Sequence, residues 1–150
     1  MLKIYKNNWK NTCGFVIEIN NGSLFESKDE RGFSHFAEHM MFSGTKTLNR
    51  YELRDKYFKL FNKLEATTSR EAVKIFAYIN LADFDEAFKI LQQMIFEWHC
   101  QKSVFIDEKK DLIDEIKDYK DSYKDKASKE VFRLLPIARK DSLGSLSRIS

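Results

Sequence analysis

The chain has 150 residues, 43% hydrophobic and 33% charged, with 26 Lys plus Arg against 23 Asp plus Glu for a net charge of +3. That is one domain's length with a real core, outside the low-hydrophobicity, high-charge corner of disordered chains, and one Pro with five Gly exclude collagen-like and linker readings. So small a charge excess names no nucleic-acid or membrane-surface partner, and no stretch approaches the roughly 18 apolar residues of a membrane-spanning helix.

Cys13 and Cys100 have neither metal-site spacing nor the density of a disulfide scaffold. Reduced thiols are expected. The opening residues lack the apolar core of a signal peptide, so a cytoplasmic location is expected. A single domain over 1–150 is the starting expectation.

Leu2 to Tyr5 suggests a short strand, and Cys13 to Asn20 alternates Phe15, Ile17 and Ile19 on one side before the Asn21-Gly22 turn signal. Gly32 to Phe42 reads as a helix through Phe33, Phe36, Ala37, Met40 and Met41, with Gly44 as a stop. A second helix is expected over Arg50 to Leu64, striped by Leu53, Tyr57, Leu60, Phe61 and Leu64. The following segment reads as strand after a polar entry, because Val73, Ile75, Ala77 and Ile79 alternate.

Asp83 and Glu86 resemble a capping box opening a third helix that carries Phe84, Ala87, Phe88, Leu91, Ile95 and Trp98. His99 and Cys100 then sit adjacent at its end, where side chains at i and i+1 diverge, so they are read as structural. A fourth helix runs from near Ser103 to at least Tyr119 through Leu112, Ile113 and Ile116. Its mixed charges read as a solvated surface. The pattern predicts an α+β fold, with a mixed, mainly antiparallel sheet and long helices packed on one face.

Two of the three histidines lie in H-F-A-E-H, with His35, Glu38 and His39 inside the first predicted helix. At about 100° per residue, positions i, i+3 and i+4 share one face, so both imidazoles can reach one ion while the carboxylate stands beside it. Two imidazoles and a carboxylate from elsewhere would make a three-ligand catalytic zinc site, and a nearby unligated Glu could take a proton from water. On the fourth helix Glu108 and Glu115 point the same way as Leu112. The residues alone do not choose Glu115 over Asp111, Asp114 or Asp118.

The H-x-x-E-H order is the inverzincin signature. The stretch from Gly22 to Lys46 resembles the active-site segment of the pitrilysin/insulinase family of zinc metallopeptidases, matching at Gly22, Ser23, Glu26, Gly32, His35, Glu38, His39, Met40, Phe42, Gly44 and Thr45. The resemblance implies one zinc per chain, held by His35, His39 and a downstream glutamate whose spacing falls on Glu115. Glu38 would be the general base, and Glu108 a carboxylate that orients the site from outside the ligand set.

Ala66 to Glu71 resembles the family's substrate-binding edge strand, which implicates Glu65, Ala66, Thr67, Thr68 and Ser69 in pairing with an extended peptide. The family usually has Asn where this chain has Glu65. Residues 135–150 resemble the loop that follows.

The implied fold is the family's N-terminal catalytic half-domain, shorter than a full family domain. The implied function is a zinc metalloendopeptidase, or its catalytic half, acting on peptides or unfolded segments. A second half usually closes the chamber, so a homo- or hetero-oligomer is expected, with no nucleic acid and no membrane partner. The alternatives are a non-catalytic peptide-binding subunit of a two-chain peptidase and, more remotely, a structural zinc site.

Overall fold

The computed structural model describes residues 2–6, 11–122, 126, 127 and 130. The alternating runs form a sheet from β1 (Leu2–Lys6), β2 (Thr12–Ile19), β3 (Phe61–Thr68) and β4 (Val73–Asn80), in the order β1-β2-β4-β3. Every pairing is antiparallel, with Phe15 opposite Ala77 and Ala66 opposite Ile75. Val73, Ile75, Ala77 and Ile79 are buried, while the alternate residues of β4 are half-buried or exposed. One face of the sheet is therefore the core face.

Helices α1 (Phe33–Met41), α2 (Arg50–Leu60) and α3 (Phe84–Phe96) bury Met41, Leu53, Leu60, Ala87, Leu91 and Met94 in one cluster with that face. Helix α4 (Lys102–Asp121) instead packs on α1, where fully buried Leu112 and Ile116 meet Phe36. The rings of Phe36 and Phe105 stand edge to face at 5.2 Å across the same seam. The α+β expectation, with helices on one side of an antiparallel sheet, is the observed arrangement. Among the described residues no helix is long and apolar enough to cross a membrane.

Two local expectations are corrected. The helix expected to reach Leu64 ends at Leu60, and Phe61 to Leu64 opens β3. Phe61 and Leu64 are both buried, and the pairing with β4 slips between Phe61 and Lys63. The bulge adds a residue to the strand, so positions three apart share a face and imitate a helical stripe.

Asp83 stands at the N-cap position of α3, as expected, but without the capping box. It ends a short 3-10 turn over Leu81–Asp83 and its side chain makes no cap hydrogen bond, while Glu86 pairs with Lys56. The capping box stands instead on α2, where Asn49 Oδ1 accepts from the amides of Tyr51 (2.9 Å) and Glu52 (3.1 Å) and the Asn49 amide donates to Glu52 Oε2 at 2.8 Å.

Because α3 stops at Phe96, Trp98, His99 and Cys100 lie beyond it, and Trp98 bridges to Thr45. Cys13, buried in β2, and half-buried Cys100 are both free. The stretch 135–150, read as a family-like loop, lies outside the described residues.

The start of α1 is held by a buried carboxylate. Glu26 accepts from the amides of Gly32 at 2.9 Å and Ser34 at 2.8 Å, with Gly32 at φ +96°. These are amides that helix geometry leaves without partners, and a negative charge is favoured at this end of the helix. Gly22, upstream in the same loop, presses so close that a Cβ would lie 2.5 Å from the Ser69 carbonyl oxygen, which ties the loop to the β3–β4 turn. Replacing Glu26 by Ala leaves two buried amides unpaired and should lower stability by about 2 kcal/mol, read by chemical denaturation.

Candidate functional site

Helix α1 carries His35, Glu38 and His39 on adjacent positions of one face, as the 3.6-residue repeat requires. Helix α4 brings Glu115 to them. One ligand atom each from His35, His39 and Glu115 lie within 4.8 Å of one another. The Nε2 of His39 is 3.3 Å from Glu115 Oε2, and the Nε2 of His35 is 3.7 Å from Glu115 Oε1. His35 is buried, whereas the Glu115 side chain is 49% exposed, so the cluster opens to solvent on the α4 side.

The donor set fits zinc. Zinc–nitrogen and zinc–oxygen bonds of about 2.0–2.2 Å in tetrahedral geometry put neighbouring ligand atoms roughly 3.4 Å apart; each histidine stands near that distance from one of the two Glu115 oxygens, and the three ligand atoms together fall within 4.8 Å. Asp111, Asp114 and Asp118 are not in the cluster, and Asp114 pairs with Lys117 at 2.9 Å on the surface. His99 is not in it either.

Glu108, two turns before Glu115, is buried behind His39. Its Oε2 is 3.3 Å from His39 Nδ1, and its Oε1 is 2.8 Å from Arg50 Nη2. A carboxylate only accepts, so Nδ1 carries the hydrogen and Nε2 is left facing Glu115. Glu38 lies outside the ligand cluster. Its Oε2 accepts a hydrogen bond from the Thr68 hydroxyl, and it borders an open cavity of about 130 Å³ also lined by Ala37, Met41, Val73, Ile95 and Trp98. A carboxylate beside open space and next to two histidines is suitably placed to exchange a proton with a small molecule.

The five residues expected to contact peptide divide by face. Ala66 and Thr68 are half-buried toward the helices, with Ala66 packed on the core and Thr68 on Glu38, while Glu65 and Thr67 are exposed. Glu65 pairs with Lys63 at 3.0 Å. Ser69 lies past the strand, its hydroxyl accepting from the Ala72 amide at 3.1 Å and donating to the Ala72 carbonyl at 2.8 Å. β3 is an edge strand among the described residues, so its outer main chain is the part that can pair with a peptide.

Arg50, and the attachment of Thr68 to Glu38, have no counterpart in the sequence reading. Each contact joins segments distant in the chain, and no local spacing announces it.

The hydrogen bond to Glu108 is the largest influence on His39 and raises its pKa above the ordinary 6.5; burial opposes this, and the charges of Glu115, Glu108 and Glu38 add to it. A raised folded-state value stabilises the metal-free fold fully below pH 6.5, and the contribution is lost as pH rises through the folded value. Denaturation of the metal-free chain at stepped pH should show this decline. The Glu108→Gln variant should show a flatter one.

The family model described as Insulinase (Peptidase family M16) matches residues 3–142. A protein named an uncharacterized zinc protease in Rickettsia felis is 32% identical over 87 residues, covering 58% of this chain and 20% of that protein. The beta subunit of mitochondrial-processing peptidase from Mus musculus is 33% identical over 90 residues, covering 60% of this chain and 18% of the subunit. The chain thus spans about a fifth of the length of these curated relatives. Among solved structures, the first half of the periplasmic protease PqqL from Escherichia coli superposes with a TM-score of 0.82 at 20% identity, covering 94% of this chain and 32% of that one. At that identity the likeness concerns the fold.

Proposed function

The chain belongs to the insulinase family of peptidases, peptidase family M16, and from that premise we propose that it is the zinc-binding catalytic half of a metalloendopeptidase that hydrolyses peptides or unfolded segments. The observation that carries this reading is the convergence of His35, His39 and Glu115 from two helices, with Glu38 beside them but outside the cluster. Three protein ligands with a fourth position open is the pattern of catalytic rather than structural zinc.

His35, His39 and Glu115 would hold the ion, and zinc bound there would supply Lewis acidity, polarising a carbonyl and bringing the pKa of water toward neutrality. Glu38 takes a proton from the attacking water and delivers it to the departing amine. The Thr68 hydroxyl fixes one oxygen of Glu38, leaving the other for that exchange. The outer edge of β3 receives the substrate as an added strand, so affinity comes from main-chain pairing and tolerates varied side chains. A second domain or subunit, identical or not, completes the chamber.

Purified without added metal or chelator, the chain should contain about one zinc. His35→Ala should lose it; unchanged zinc content in that variant would remove the site assignment. Glu38→Gln should keep the metal yet lower peptide turnover by at least about a hundredfold, measured with a peptide library and with any completing polypeptide present. Zinc binding without turnover under every such condition would favour a binding-only subunit.

A further inference from the structure

We infer that Arg50 is a positioning residue of the metal centre, acting on His39 through Glu108. The inference rests on the reading of His35, His39 and Glu115 as a zinc site and adds a residue to it. Glu108 divides its two oxygens. Oε1 is taken by Arg50 Nη2 at 2.8 Å, and Oε2 is left 3.3 Å from His39 Nδ1. The imidazole thereby keeps its hydrogen on Nδ1 and turns Nε2 toward Glu115 Oε2, 3.3 Å away. A metal-binding histidine depends on such a partner for both its tautomer and its ring orientation.

Arg50 is what lets Glu108 serve in that way. The Glu108 side chain is only 10% exposed. A buried carboxylate whose sole partner was a neutral imidazole would be poorly compensated for its lost hydration. The guanidinium supplies the opposite charge from the other side and stops the carboxylate from rotating away from the ring.

The guanidinium itself starts from a fixed point. Arg50 is the first residue of α2, directly after Asn49, whose capping box with Glu52 sets the backbone there. The Arg50 side chain is 35% exposed, but Glu108 beside it is only 10% exposed, so removing the guanidinium should also cost the metal-free fold some stability. Its specific effect should appear in metal binding.

Zinc dissociation constants of the full chain, by competition with a chromophoric chelator, and visible spectra of the Co2+-loaded chain test this. Arg50→Met should weaken zinc binding about tenfold to a hundredfold and shift the cobalt bands, both measured where the metal-free variant is still fully folded. Arg50→Lys, which keeps the charge at shorter reach, should recover part of the affinity. Arg50→Gln repeats the comparison should Arg50→Met not fold.

In a Glu108→Gln background the Arg50→Met change should shift affinity by less than about twofold, because the route through Glu108 is already broken. Wild-type affinity and an unchanged cobalt spectrum in Arg50→Met and Arg50→Gln would overturn the inference. So would a loss that persists in full on top of Glu108→Gln. His35→Ala separates the levels: if it binds zinc as the wild type does, the site reading fails and takes this inference with it. If His35→Ala alone loses zinc, only the role of Arg50 falls.

Discussion

The candidate centre depends on the seam where α1 meets α4. Neither helix holds a complete ligand set, and the histidines of one reach the carboxylate of the other only because Leu112 and Ile116 are completely buried against α1 beside Phe36. Burial of each such side chain is worth about 1.5–3 kcal/mol, enough to hold two helices in register against the repulsion of the acidic groups they bring together. The spacing on α4 makes one face do both jobs. Glu108, Leu112 and Glu115 follow one another at four and three residues, so the apolar contact that docks the helix also aims two carboxylates at α1.

A second set of restraints fixes α1 from its other sides. Glu26 holds its first turn, and the loop containing Gly22 binds the β3–β4 turn through amide-to-carbonyl bonds from Gly22 to Glu71, Ser23 to Ser69 and Leu24 to Arg70. The Thr68 hydroxyl on β3 then reaches Glu38. The strand at the sheet's edge among the described residues and the helix that carries Glu38 are thus one mechanical unit, so a peptide paired to β3 would stand at a set distance from Glu38. Precise placement of reacting groups of this kind is a main source of rate enhancement.

What could be read from the sequence follows the range of the interactions. The His35, Glu38 and His39 grouping needs only helical periodicity, and the strands β2 and β4 need only alternation. Their placement in the structure follows those rules. Glu115 required a spacing supplied by family resemblance, since four acidic residues on one helix are equivalent until a packed neighbour distinguishes them; Leu112 and Ile116 do that here.

α2 ends four residues before the expected Leu64, and a bulge lets Phe61 and Leu64 share a face at helical spacing. Asp83 with Glu86 had the letters of a capping box without the geometry, whereas Asn49 with Glu52 had both. Arg50 was invisible, because nothing at the start of α2 signals a partner on α4.

Holding the metal and holding the substrate place different demands on the fold. Every candidate ligand, the candidate base and the Arg50–Glu108 pair come from α1, α2 and α4, whose relative positions are set by buried contacts. The proposed substrate edge is different. Each main-chain hydrogen bond that a peptide makes along β3 contributes a net of about 0.5–1.5 kcal/mol, while association costs at least about 4 kcal/mol in lost translation and rotation. Four or five such bonds only roughly cancel that cost. The surplus has to come from side-chain surfaces that press on the peptide, and among the described residues no further strand lies beyond the outer edge of β3. Zinc affinity is therefore the property expected of this chain by itself, and efficient peptide capture the property that would require the proposed second half.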